Sequence, residues 1–164
     1  GSLMLELQPD QSTPKILWQT KKVSERNTTH LNSIMSTPYL DGDHIYGVCS
    51  YGEFRCLNAT TGERLWESMV PTTGDGKKER WANVFLTPHH DRYFLFNESG
   101  ELIISELSPA GFKEIDRAKL IEPNGLDLKR RPIVWSHPAY SNKRIFVRND
   151  SEIRSISLAR EPAE

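Results

Sequence analysis

Apolar residues in this chain come in short bursts separated by turn-forming residues, which predicts strands and no long helix. Residues 45–49, 93–97 and 145–149 are such bursts. Each follows a turn: Asp41-Gly42-Asp43, His89-His90-Asp91-Arg92 and Ser141-Asn142-Lys143. A second tight turn comes next in each copy, at Tyr51-Gly52-Glu53, Ser99-Gly100-Glu101 and Asp150-Ser151-Glu152, and leads into strands at 54–58, 102–107 and 153–158. Gly52 and Gly100 supply the positive φ that such hairpin turns need.

These bursts recur at a nearly fixed interval. The pentads 34–38, 84–88 and 134–138 each start apolar and end in proline, at Pro38, Pro88 and Pro138, spaced by 50 and 50. Gly1 falls in register with Gly52 and Gly100 at spacings of 51 and 48, so the chain starts in mid-repeat. A fourth strand closes each unit, at 64–67 after Thr61-Gly62-Glu63, at 112–117 after Pro109-Ala110-Gly111, and at 16–19 after Ser12-Thr13-Pro14. The unit is therefore four antiparallel strands, with the pentad expected as its innermost strand. A sheet of that size buries both faces only by stacking against copies of itself around an axis, which predicts the blades of a β-propeller. The expected layout is all-β, one partial propeller over 1–164: a half blade at 1–20, blades at 34–68 and 83–117, and three strands at 133–158. That makes thirteen strands, or three and a quarter blades.

The stretch Cys56-Leu57-Asn58-Ala59-Thr60-Thr61-Gly62-Glu63-Arg64-Leu65-Trp66 resembles the repeat of the pyrroloquinoline-quinone-like (quinoprotein-type) propellers. That repeat runs Ala-x-Asp-x-x-Thr-Gly-x-x-x-Trp. Thr61, Gly62 and Trp66 match it, Trp18 occupies the corresponding place in the half blade, and Asn58 stands where Asp is usual. In the 84–117 unit the tryptophan is replaced near Ile115. The roles implied are structural: Asn58 binds turn backbone, Gly62 takes the strained turn position, and the indole docks between neighbouring blades. The family holds both quinone-dependent dehydrogenases and cofactor-free binding propellers. The dehydrogenases carry a vicinal cysteine pair and a calcium site beside a catalytic Asp. Here Cys49 and Cys56 are not adjacent, and no such carboxylate and amide group stands out on the innermost strands. The resemblance therefore points to the cofactor-free kind, with quinone and calcium expected only under the dehydrogenase alternative. It also favours a periplasmic or secreted location.

Composition narrows the partners. Lys plus Arg number 21 against 22 Asp plus Glu, a net charge of -1, so no global field draws the chain to nucleic acid. No apolar run approaches the roughly 18 residues that span a bilayer, and no membrane insertion is expected. If Tyr51-Gly52 centre their turn, Cys49 faces Phe54 and Cys56 is its diagonal neighbour about 7–8 Å away. That separation favours reduced, half-buried thiols over a disulfide. His89 and His90, adjacent on an extended chain, point to opposite sides and read as a surface turn. Asn27, Asn58, Asn97 and Asn149 fit the glycosylation acceptor pattern, which turn composition produces by itself.

Two candidate surfaces remain. Thr37, Thr87 and His137 hold equivalent places in the pentads and would line the central channel at one level. The connections between units are basic, with Lys21 and Lys22, then Lys77, Lys78 and Arg80, then Lys129, Arg130 and Arg131, although Asp75, Glu79, Glu122 and Asp127 dilute them. Loops on a rigid scaffold are frequent binding surfaces. The expected function is thus a non-enzymatic module that binds a protein partner through a loop face, with a dehydrogenase fragment as the alternative. Unpaired edge strands would also permit self-association.

Overall fold

The computed structural model describes residues 1–10, 12–21, 24–74 and 76–159; Lys22 and Asp75 lie outside the described residues. The chain is all-β. Its first sheet pairs β1 (Leu3–Glu6) with β2 (Lys15–Gln19). The second holds β3 (Tyr39–Asp41), β4 (His44–Val48), β5 (Phe54–Asn58) and β6 (Arg64–Ser68) in chain order. The third holds β7 (Val84–His89), β8 (Arg92–Asn97), β9 (Glu101–Ser108) and β10 (Gly111–Lys119). A small hairpin of β11 (Gly125–Leu126) and β12 (Pro132–Ile133) precedes the last sheet, β13 (Ala139–Ser141), β14 (Arg144–Arg148) and β15 (Ile153–Ser157). Every pairing is antiparallel.

The middle strands of the second and third sheets are mostly apolar because both their faces are covered. Ile45, Cys49 and Leu57 pack with Leu31, Met4 and Trp18 between the first and second sheets. Tyr46, Val48, Phe54 and Cys56, on the other face, meet Val84, Tyr93, Leu95 and Ile103 of the third sheet. Phe85, Phe94, Phe96 and Leu102 then meet Ile145 and Val147 of the last, with Leu120, Ile121 and Val134 filling between them. Each sheet thus buries its apolar residues against its neighbours in sequence order.

Outer strand pairs repeat one irregularity. Met4 pairs with Trp18 and Leu5 with Ile16, so Leu17 is an extra residue. Cys56 pairs with Trp66 and Leu57 with Arg64, leaving Leu65; Ile104 pairs with Asp116 and Ser105 with Glu114, leaving Ile115. Such a bulge bends the outer strand and re-aims the residue after it. In the first two sheets that residue is a tryptophan. The Trp18 indole N–H donates to the Ala59 carbonyl at 2.7 Å, and the Trp66 indole N–H to the Ser108 carbonyl at 2.7 Å, each reaching the outer hairpin of the next sheet. Gly62, at φ +73, lies under the Trp18 ring, where an added Cβ would come within 2.7 Å of the indole. Asn58 shapes that turn by accepting the N–H groups of Thr60 and Thr61, both at 2.9 Å, while Thr61 accepts the N–H of Glu63.

Three details differ from the sequence expectation. Only one pentad, Val84 to Pro88, lies in a ladder; β3 and β13 begin after Pro38 and Pro138. Ile34 and Met35 are exposed, so no apolar burial holds the first pentad on its sheet, and the Val134 N–H is taken by the Glu98 carbonyl of the preceding sheet. The β4–β5 turn is longer by a residue than a Tyr51-Gly52 centre implies: Cys49 N–H donates to Glu53, Gly52 N–H to Cys49, and Val48 pairs with Phe54. That slip changes faces. Cys49 points toward the first sheet and Cys56 toward the third, both free and fully buried, not half-buried diagonal neighbours. The third difference is the added β11–β12 hairpin, which brings the described strands to fifteen.

Candidate functional site

Antiparallel order sends the β4–β5, β8–β9 and β14–β15 turns to the ends of the sheets where the inter-sheet connections run. Backbone bonds fix the two sets together: Trp81 N–H donates to Ser50 at 2.8 Å, Glu79 N–H to Tyr51 at 3.2 Å, and Val134 N–H to Glu98 at 2.7 Å. The Asn149 amide donates to the Glu122 carbonyl at 2.9 Å. A loop rim results, anchored turn by turn.

Two Arg–Glu–Trp groups stand on this rim. Arg80 grips Glu25 through Nε and Nη2 at 2.8 and 2.9 Å, and the Trp81 indole donates to the same carboxylate at 3.0 Å. The Arg80 guanidinium also lies 4.3 Å over the Trp81 ring. In the second group Arg131 pairs with Glu98 and Asp127, and the Trp135 indole donates to Glu98 at 3.0 Å. Arg131 Nη2 reaches the Arg80 carbonyl at 3.4 Å, and the two indoles meet edge to face at 6.4 Å. Both rings are half-buried, each with its polar edge fixed by a carboxylate.

The charges respond accordingly. The Arg80 hydrogen bond holds Glu25 below the usual carboxylate range. Burial pushes Glu98 up against the lowering bonds from Trp135 and Arg131. Burial also works against Asp127, but backbone N–H groups of Arg131 and Lys129 hold its carboxyl low. Glu53 follows the same logic, with burial overcome by Lys78, which bonds it at 2.6 Å.

Of the predicted basic residues, Lys78, Arg80, Lys129 and Arg131 are therefore paired with Glu53, Glu25, Glu79 and Glu98. Lys21 and Lys77 are exposed, and Arg130 sits exposed at φ 63 with its N–H on the Asp127 carbonyl. The rim is an ion-pair lattice, which weakens the positive field the loops suggested. Sequence reading missed Glu25, Glu53 and Glu98 as its acidic members. Glu98 had a signal, since it extends an apolar burst that a carboxylate enters only with a partner.

Below the rim, fully buried Arg55 joins the same system. Its guanidinium bonds Glu67 at 2.9 and 2.8 Å, the His30 carbonyl, and the Cys49 sulfur at 3.3 Å, and stands 3.7 Å from Glu53. Burial raises the Cys56 thiol to about 11, which keeps it protonated and unreactive.

The three pentad residues differ in exposure. Thr37 and His137 are exposed, with the His137 ring 4.1 Å from that of Phe85, while Thr87 is half-buried in a cleft beside Tyr140. His89 and His90 lie in the β7–β8 turn with ring centres 4.6 Å apart, and His89 stacks on Phe94. No cluster of three or more His, Cys, Asp or Glu suited to a metal ion occurs among the described residues.

No family model matches the chain, and no curated protein matches it. Among solved structures the chain is similar to a computationally designed protein, Ika8, at 8% identity and a TM-score of 0.44, over 89% of this chain and 50% of that one. The chain thus spans half the length of that protein.

Proposed function

We propose that the sheets are blades of a quinoprotein-type propeller arc, and that the arc is a non-enzymatic scaffold whose loop rim binds a protein partner. The observation that carries this reading is the pair of half-buried indoles, Trp81 and Trp135, held rigid by Glu25 and Glu98 among ion-paired arginines. Aromatic and arginine side chains fixed before contact lose little entropy on binding, which is what anchors at protein interfaces require. The surrounding ion pairs give the rim a patterned surface of both signs, which favours a partner of matching pattern over a simple polyanion.

The test compares proteins retained from extract of the source cells by the wild type and by a Trp81→Ser, Trp135→Ser double variant. A partner that the wild type holds and the variant releases, with a crosslink mapped to residues 77–81 or 127–135, supports the reading. Retention unchanged by the substitutions overturns it. Titration with pyrroloquinoline quinone and calcium separates the dehydrogenase alternative. Saturable quenching of the four tryptophans would favour the enzyme.

A further inference from the structure

At the opposite ends of the sheets, the β7–β8 and β13–β14 turns enclose a cleft of about 340 Å³. That volume suits a small ligand. Its floor is aromatic: His89 stacks on Phe94 with ring centres 4.8 Å apart, and Phe94 meets Tyr140 at 5.5 Å. The Tyr140 hydroxyl is buried with no hydrogen-bond partner, although Thr87 is its polar neighbour. Native proteins rarely leave such a group unsatisfied, and a site that expects a ligand is one reason to do so.

The cleft's charge is as one-sided as the loop rim's is balanced. Among the described residues, Lys143 and Arg144 line it and no Asp or Glu does. Arg144 turns its guanidinium to the Ser155 hydroxyl and carbonyl, both at 2.7 Å, on the outer face of the last sheet, which leaves Lys143 as the cation that faces the cleft. No carboxylate pairs with Lys143 among the described residues.

We propose that this cleft is a binding site for a small aromatic carboxylate. The ring lies on the His89, Phe94 and Tyr140 surface, the carboxylate meets Lys143, and the Tyr140 hydroxyl accepts a ring N–H. A free phosphate would use the cations and leave the aromatic floor bare; an uncharged arene would do the reverse. The site is independent of the loop-rim reading, since it shares no residue with that rim.

The experiment is a two-dimensional amide NMR titration of the whole chain with indole-3-acetate, and with indole-3-acetamide as the uncharged match. Expected are saturable shifts confined to residues 87–94, 140–144 and 158, with the amide binding at least tenfold more weakly. Lys143→Gln should weaken indole-3-acetate at least tenfold, and Tyr140→Phe about threefold, both with unchanged spectra elsewhere. Shifts centred on the loop rim, equal binding of acid and amide, or no saturation would each overturn the proposal.

Discussion

Gly100 stands where a side chain has no room. Its φ is +78, and an added Cβ would land on the Ile121 carbonyl oxygen, whose carbon is 3.0 Å away. Gly42 has a comparable φ of +54 with nothing within 4 Å. Gly42→Ala should therefore cost about 1–2 kcal/mol for the left-handed backbone alone, and Gly100→Ala about 3 kcal/mol or more because a backbone must also move. Urea unfolding of the two variants measures the difference. Glu98 gives a second residue-level expectation. Because burial raises its folded pKa above the unfolded value, the folded state binds its proton more tightly, and stability from this group grows as pH falls from its raised pKa towards about 4.5. Glu25, Glu53 and Glu114 are lowered and act in reverse, losing their contribution as pH falls through their depressed folded pKa values. Glu98→Gln should abolish the gain of stability on mild acidification and leave the acid unfolding below about 4.5 in place. Urea midpoints from pH 4 to 8 decide it.

Among the elements, the repeated bulge explains both what the sequence reveals and what it hides. Strands 54–58 and 64–68 are legible because burial and turn chemistry agree there, from Phe54 through Asn58 and Gly62 to Trp66. A fixed repeat length, however, places the third-sheet equivalent of Trp66 near Ile115, whereas the ladder shows Ile115 to be the extra residue and Asp116 the equivalent. Single-residue bulges leave no mark in an apolar pattern, and the extra turn residue between β4 and β5 hides the Cys49 face for the same reason. The Arg–Glu–Trp groups were hidden differently, since Glu25 and Arg80 are 55 residues apart and only folding joins them. Asp116 leaves an open cleft of about 160 Å³ lined by Leu102, Ile104, Leu120, Ile156 and Leu158, where a tryptophan sits at the two earlier interfaces. Asp116→Trp should fill it and stabilise the chain by about 1–2 kcal/mol through apolar burial and a bond to the Leu158 carbonyl. Trp66→Phe should cost about 0.5–1.5 kcal/mol for the lost donor to Ser108. Melting temperatures rising for the first and falling for the second are the expected pair of results.

For the molecule as a whole, the two end sheets are unequal. The first sheet turns Met4 and Trp18 inward, and Leu3, Leu5 and Ile16 remain exposed at 49%, 41% and 57%. The last sheet carries Arg144, Arg148, Ser155 and Ser157 away from its core, among which Ile153 is the large exposed apolar side chain. A leucine face uncovered by the described residues, beside a β1 edge that none of them pairs, should drive association. Light scattering should show a mass that rises with concentration, and Leu5→Lys with Ile16→Lys should return the chain to a monomer. A monomer in the unmodified protein at all concentrations would contradict that expectation.

The sequence-ordered packing also bears on how the chain would respond to load. Among the described residues each apolar cluster joins only consecutive sheets, so tension applied at the termini meets the inter-sheet packing one interface at a time. The protein should lengthen in steps, of which the two four-stranded sheets each release about 50 residues and roughly 170 Å of contour and the end sheets less. The interface at Asp116, without an indole clasp, should yield first. Optical-tweezer traces with steps of that size would make the molecule a graded extensible spring, and a single cooperative rip would show that its sheets share load after all.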